Sequence, residues 1–509
     1  MARGRIGRVP PVLTRIVIVI AAVAPLSQLP RLPGACLPET AAVRDDTRTG
    51  SAVADAAERA QWERLDILLA DGADPRLPQP DGSTALHWAA YHDASDQAQL
   101  LLDHSVDPRA VNHYGVPPLA LACRNASSSM VTLLLRYGAD PHRRLAGGET
   151  MLMLASRTGN RDAVDVLLRA GAAVDEAERI GQTALMWAAA EGHAPVLRML
   201  LDAGADPNRR SNTAFTALLF AARNGRLAAT RQLLNAGVDP QQSVESPRTG
   251  VSSRAPAIGT SGLLLAVENG HFELALNLVD AGADPNDERS GFTPLHVLSW
   301  VRKPNRGDDD SGQPPPDGSG KVSSLEFARE LIRRGADPRR GLKKSSPGPG
   351  KLNLAGASPL LLAARTDDLP YMRLLVELGA DIHQANLDGC TPLMAAAGIG
   401  TLAPTEEAGT EDEALESVDF LLKAGAAIDT VDKNGETAMH GAAYKSLPRM
   451  VAFLAEHGAA VEVWNRANRH GWTPLRIAQG YRPGNFKPSI ETIDALLAVL
   501  RQAGVEPGQ

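Results

Sequence analysis

The chain has 509 residues with 52 Lys+Arg against 59 Asp+Glu, a formal net charge of −7, which excludes a nucleic-acid binder that relies on a strongly basic surface. Aromatic residues are 4% of a composition that is 44% hydrophobic and dominated by Ala, Leu and Val, so the core is built from many small aliphatic contacts and the chain is helix-rich. Cys36, Cys123 and Cys390 lie far apart with no CxxC pair, which excludes a disulfide framework and a cysteine zinc site.

At the amino end, Arg3, Arg5, Arg8 and Arg15 precede the apolar run Ile16–Ala24, which Pro25 ends. The run is shorter than the roughly 20 residues that span a bilayer. It fits the apolar stretch of a secretory signal. Residues 1–35 are therefore predicted as a signal peptide and 36–50 as a linker, with the rest exported, periplasmic or secreted. Two alternatives stay open: an uncleaved membrane anchor, and a lipid on Cys36. Leu32-Pro33-Gly34-Ala35-Cys36 resembles a bacterial lipoprotein box whose leucine is displaced by one residue.

After residue 50 the sequence repeats. Gly-Ala-Asp-Pro or a near relative follows a Leu-Leu pair at twelve places from Gly72 to Gly504, and the first five intervals are each 33 residues. A second phrase keeps step with it: Thr84-Ala85-Leu86-His87-Trp88-Ala89-Ala90, Thr183-Ala184-Leu185-Met186, Thr293-Pro294-Leu295-His296, Thr391-Pro392-Leu393-Met394, Thr437-Ala438-Met439-His440 and Thr473-Pro474-Leu475-Arg476. Each unit opens on a turn such as Asp81-Gly82, Asp388-Gly389 or Asn434-Gly435, where glycine accepts a positive φ. Thr then caps a helix, Pro or Ala takes its first position, and a second short helix ends at a glycine such as Gly171 or Gly204.

Period and phrase together resemble the ankyrin repeat, here in an exported, bacterial-type form. The resemblance implies an all-α solenoid of about twelve helix-turn-helix units with β-hairpin-like tips. One unit cannot bury its own apolar faces, so neighbours must stack. Residues 51–240 read as regular repeats. Residues 241–506 read as repeats with loop insertions near 243–260, 302–323, 340–356, 400–414 and 480–490. The first and third insertions fall at hairpin tips, and the second and fourth between the two helices of a unit. They are predicted as solvated loops, with partner-contacting loops as the alternative.

Chemistry-bearing motifs are scarce. His87, His296 and His440 occupy the histidine of the repeat phrase, where the resemblance implies hydrogen bonds between adjacent hairpins. His142, His193, His271 and His457 show no HExxH spacing, and Ala146-Gly147-Gly148 is not a phosphate loop. Asp308-Asp309-Asp310 reads as a solvated charge run, and Trp88, Trp187 and Phe220 as core. No enzyme activity, cofactor, metal or nucleic-acid partner is predicted.

The resemblance implies instead a scaffold that binds another protein through the concave face and hairpin tips. Candidate contacts on the first helices are Tyr91, His92, Arg124, Asn125, Arg157, Arg223, Arg365 and Tyr444; those at the tips are Tyr114, Phe215, Phe292 and Trp472. Arg124, Arg157 and Arg223 are whole periods apart, which predicts one line of arginines. With flanking aromatics, that line predicts a partner with an acidic segment. The protein is expected to act as a monomer, touching membrane only through its amino-terminal segment. The rival readings are an accessory subunit of an envelope enzyme and a structural spacer.

Overall fold

A computed structural model describes residues 51–245, 257–304, 315–343, 352–404, 407–482 and 487–506. The segments predicted as signal peptide and linker, with Cys36, and the Asp308-Asp309-Asp310 run lie outside them. Contacts divide the chain into two units: one runs to Thr183 and adds Ser211–Ala214, and the other holds Ala184–Arg210, Phe215–Glu245 and Ile258 onward. The described residues are helical, with isolated bridges in place of strands.

In the first unit, four helix pairs repeat. The first helices are Ala52–Glu58, Ala85–Tyr91, Pro118–Arg124 and Met151–Thr158; the second are Trp62–Ala70, Ser95–Asp103, Ser128–Arg136 and Arg161–Arg169. First helices pack on first helices, and Ser95–Asp103, Ser128–Arg136 and Arg161–Arg169 pack in turn, giving two layers. Each second helix buries one narrow stripe, such as Met130, Val131 and Leu134, or Ala163, Val164 and Leu167. A stripe that narrow stabilises a helix only when a neighbour covers it.

The local rules act as the sequence predicts. Thr150 Oγ1 accepts the Met153 N–H. At the other end of the unit, Gly171 takes φ +86° while Ala172 N–H returns to the Leu167 carbonyl. Ser105 holds the equivalent turn at φ +62°, a strained conformation for a residue with a Cβ. At the tips, the Asn112 carboxamide oxygen accepts from the Tyr114 and Val116 N–H groups. Adjacent tips meet through single backbone bonds, among them His113 N–H to the Asp81 carbonyl at 2.7 Å and Arg179 N–H to the Gly147 carbonyl at 3.0 Å. Gly181 shows why glycine stands there: with φ +82°, a Cβ would come within 2.8 Å of the Asn212 nitrogen.

The second unit holds eight pairs among its described residues. Its first helices are Ala184–Glu191, Ala217–Arg223, Gly262–Glu268, Pro294–Arg302, Pro359–Arg365, Pro392–Ala396, Ala438–Lys445 and Pro474–Ala478. Each is followed by a second helix: Ala194–Asp202, Leu227–Asn235, Phe272–Asp280, Ser324–Arg333, Leu369–Glu377, Glu411–Lys423, Pro448–Glu456 and Ile490–Ala503. An additional turn of helix, Val461–Trp464, buries its tryptophan. Along the second unit, first helices pack on first helices and second helices on second helices in turn. The described parts of the insertions are not simply solvated. Ser319 Oγ lies 2.9 Å from His271 Nδ1, and a Cβ on Gly318 would meet the Gly270 carbonyl at 2.4 Å, so the 315–320 stretch lies against an earlier repeat.

Candidate functional site

The three phrase histidines join neighbouring repeats as the resemblance implies. His87 Nδ1 accepts the Thr84 N–H at 3.1 Å, so Nε2 carries the proton and donates to the Val116 carbonyl at 3.0 Å. His296 lies 2.7 Å from Thr293 Oγ1 and donates to the Ala357 carbonyl at 3.0 Å; His440 donates to the Arg466 carbonyl at 3.1 Å. Burial pushes the His296 and His440 imidazoles down to about 4, so both are neutral.

The surface that remains is ordered by one count. The seventh residue after each first-helix cap lies on the same side of every helix. In the first unit these residues are Glu58, Tyr91, Arg124 and Arg157. Tyr91 and Arg124 are exposed, and Arg124 has no hydrogen bond or ion pair among the described residues. Beside Tyr91 stands an aromatic corner: Trp88 meets Tyr91 edge-on at 5.8 Å, His92 meets Tyr91 at 5.0 Å, and Trp62 meets His92 at 5.8 Å. Trp88 is half-buried rather than core, and its indole N–H donates to Gln79 Oε1 at 2.7 Å. Gln79 in turn donates to Asp55 and Glu58. At a tip, Tyr114 is 72% exposed.

The eighth residue has a different task. Asn125 donates from its carboxamide to the Ala90 and Tyr91 carbonyls, at 3.1 and 2.6 Å, and His92 Nε2 donates to the Glu58 carbonyl at 2.9 Å. Both tie a first helix to the exposed carboxyl end of the one before it. Their polar groups satisfy backbone acceptors, while both residues stay exposed. Asn224 repeats the bond in the second unit, to the Ala190 carbonyl at 2.9 Å.

In the second unit the same count gives Ala190, Arg223, Glu268, Trp300, Arg365, Gly398, Tyr444 and Gly480. Several of these fold inward. Tyr444 is buried, its hydroxyl donating to Glu436 at 2.9 Å and accepting from Asn468 at 3.2 Å, so it presents no ring to solvent. Phe215 is buried as well, because the Arg223 guanidinium covers it, 5.3 Å from its centroid and 5.7 Å from that of Phe220. Arg365 faces Glu407 at 3.7 Å. Phe292 meets Trp300 edge-on at 5.0 Å, Trp472 stacks on His470 at 4.9 Å, and Trp187 is half-buried, not core. Trp300 escapes a search keyed to the Ala-Ala pair because Leu298-Ser299 stands there instead. Counting from Thr293 finds it.

A buried charge network also escapes sequence reading. Arg302 donates to both carboxylate oxygens of Asp368, at 2.6 and 2.9 Å, and to Ser324 Oγ. Lys445 reaches Asp367 at 2.5 Å with both side chains sealed from water. Lys303 bonds the Asp367 carbonyl at 3.0 Å and Glu413 at 2.6 Å. Burial holds the Asp367 carboxyl up at about 6 against the pull of both lysines. Through Glu407 and Glu413 the acidic insertion is clipped to the two repeats before it. No group of side chains able to hold a metal occurs among the described residues, and no described helix is long and apolar enough to cross a membrane.

Models of ankyrin repeats match residues 53–145, 140–211 and 408–501 in sets of three copies, and 355–387 as a single copy. The chain is an ankyrin-repeat protein. It is 30% identical over 156 residues to the protein named "Putative palmitoyltransferase ZDHHC13" of Danio rerio, and 28% identical over 160 residues to inversin of Canis lupus familiaris. The matches cover 30% and 31% of this chain but 20% and 12% of those proteins. The ankyrin repeat domain of human ASB11 aligns with 46% of this chain and 99% of its own at 22% identity, with a TM-score of 0.40. Ankyrin repeats are protein–protein interaction scaffolds and typically non-enzymatic.

Proposed function

We propose that the protein binds a partner protein through the first-helix row and hairpin tips of its ankyrin repeats, as a single copy and without catalysis of its own. The observation that carries the reading is the row in the first unit. Tyr91, Arg124 and, at a tip, Tyr114 are large, exposed residues of the types enriched in interface hot spots, and the fold spends neither the Arg124 guanidinium nor the Tyr114 ring on its own packing. Arg124 and Arg157 favour a partner segment with acidic side chains. A spacer needs no such row.

The test is a photo-crosslinking residue placed at position 91, at 114, or at 67 on the second helix Trp62–Ala70, where Ile67 is also exposed. Adducts with one partner from 91 and 114 but not from 67 are expected. Equal labelling from 67, or none from the row and tip, overturns the reading and leaves a spacer. The proposal extends to location: the basic start and apolar run before Pro25 support export, to the periplasm or beyond, with the anchor and lipid as variants of it. A fusion of residues 1–60 to a reporter active only after export reads this directly, and a silent reporter overturns it.

A further inference from the structure

The second unit's row suggests what chemistry a partner must bring. We propose that Arg223, Glu268 and Trp300, on three successive first helices, receive an extended segment of a partner protein that carries an acidic, a basic and an apolar side chain in that order along the row, about three residues apart. This rests on the protein-binding reading above and adds the recognition code.

Three observations lead to it. Helix Ala217–Arg223 packs on Gly262–Glu268, which packs on Pro294–Arg302, so the seventh residues after Thr216, Ser261 and Thr293 come from neighbouring layers. Next, two opposite charges stand in this row unspent. Arg223 is half-buried, flanked by two phenylalanine rings that strip its hydration, and the one hydrogen bond of its guanidinium among the described residues is a long one of 3.4 Å to Asn224. Glu268 has no ion pair or hydrogen bond among the described residues. The residue is exposed, and the protein around its carboxyl pushes it up to about 7. A partly desolvated charge without a counter-ion costs stability unless something else supplies the counter-ion. Finally, Trp300 is 36% exposed and is propped edge-on by Phe292, a rigid apolar shelf one layer beyond Glu268.

The spacing follows from two lengths. Packed helices lie about 8–10 Å apart, and an extended chain advances roughly 3.3 Å per residue, so about three residues carry a segment from one layer to the next. An acidic side chain pairs with the Arg223 guanidinium, which suits a carboxylate. A lysine or arginine three residues on meets Glu268, and an apolar side chain three further packs on Trp300.

The experiment uses the full chain and synthetic peptides with Glu, Lys and Leu at positions 1, 4 and 7 in a Ser/Gly background, the reversed order, and a scrambled control of the same composition. One of the two ordered peptides is expected to bind at least tenfold more tightly than the control, as read by titration calorimetry. R223E/E268K should lose that preference and take up the peptide with Lys and Glu exchanged. Ordered and scrambled peptides binding alike, or ordered binding indifferent to R223E/E268K, overturns the proposal. Should that double variant fail to fold, E268Q serves: it must weaken the Glu-Lys-Leu peptide and leave a Glu-Gln-Leu peptide unchanged. Crosslinking from positions 91 and 114 without peptide preference removes this code and keeps the protein-binding reading; loss of both removes both.

Discussion

The first unit and the inserted stretch of the second, residues 294–423, use one repeat differently. Between Ala52 and Arg169, neighbours are joined by bonds to backbone, the histidine of the phrase and the Asn125 carboxamide, while Arg124 points outward unspent. Between Pro294 and Lys423, charged side chains turn inward and hold the insertions: Arg302 on Asp368, Lys303 on Glu413, Arg365 facing Glu407. The regular period closes its own contacts and leaves row positions free for a partner. An insertion lengthens the path between helices and adds polar backbone, and the chain meets that with its own charges.

The largest expected effect lies in the inserted stretch. R302A leaves the Asp368 carboxylate buried and unpaired and should cost about 3–5 kcal/mol. Hydrogen exchange in the helix Leu369–Glu377, which Asp368 caps, measures it locally, as repeat arrays need not unfold in one step. Protection unchanged from the native chain would show that the pair is not what holds this stretch together.

Acid should weaken the second unit through its neutral histidines. An unfolded histidine takes up a proton near 6.5, whereas His296 and His440 resist until about 4. The stabilisation is therefore complete above about pH 6.5 and is lost as pH falls toward 4, on the order of a few kcal/mol for the two together. Urea midpoints of native and H296N chains across that window test the sign: the native chain must show the steeper fall.

Smaller effects belong to the first unit. N125A removes two bonds to backbone and should cost about 1 kcal/mol, seen as faster exchange at the ends of Ala85–Tyr91. R124A should change stability by no more than about 0.5 kcal/mol in a thermal melt, and together with R157A it should still weaken partner capture. A melt lowered as far by R124A as by N125A would erase the contrast between free and spent positions.

Legibility followed the range of each interaction. The caps at Thr150 and Thr216, the turn glycines and the histidine bridges were readable because each depends on residues a few places apart, or one period on in a pattern that recurs. Arg302 and Asp368 were not, since 66 positions and two insertions separate them. Nor was the fate of Phe215 and Tyr444. They occupy tip and row positions that look open in sequence, and they are buried by Arg223 in one case and bonded to Glu436 and Asn468 in the other.

The order of residues by itself determined the helix pairs, their caps and stops, and the stacking that a one-sided apolar stripe demands. Only the tertiary structure decided which of the equivalent row positions remain available. Arg124, Arg223, Arg365 and Tyr444 share a register, yet one is fully exposed, one lies over two rings with its charge unpaired among the described residues, one faces a glutamate and one is sealed. The physical reason is that a local pattern sets the direction of a side chain, whereas its desolvation and its partners come from segments the chain brings back from far away.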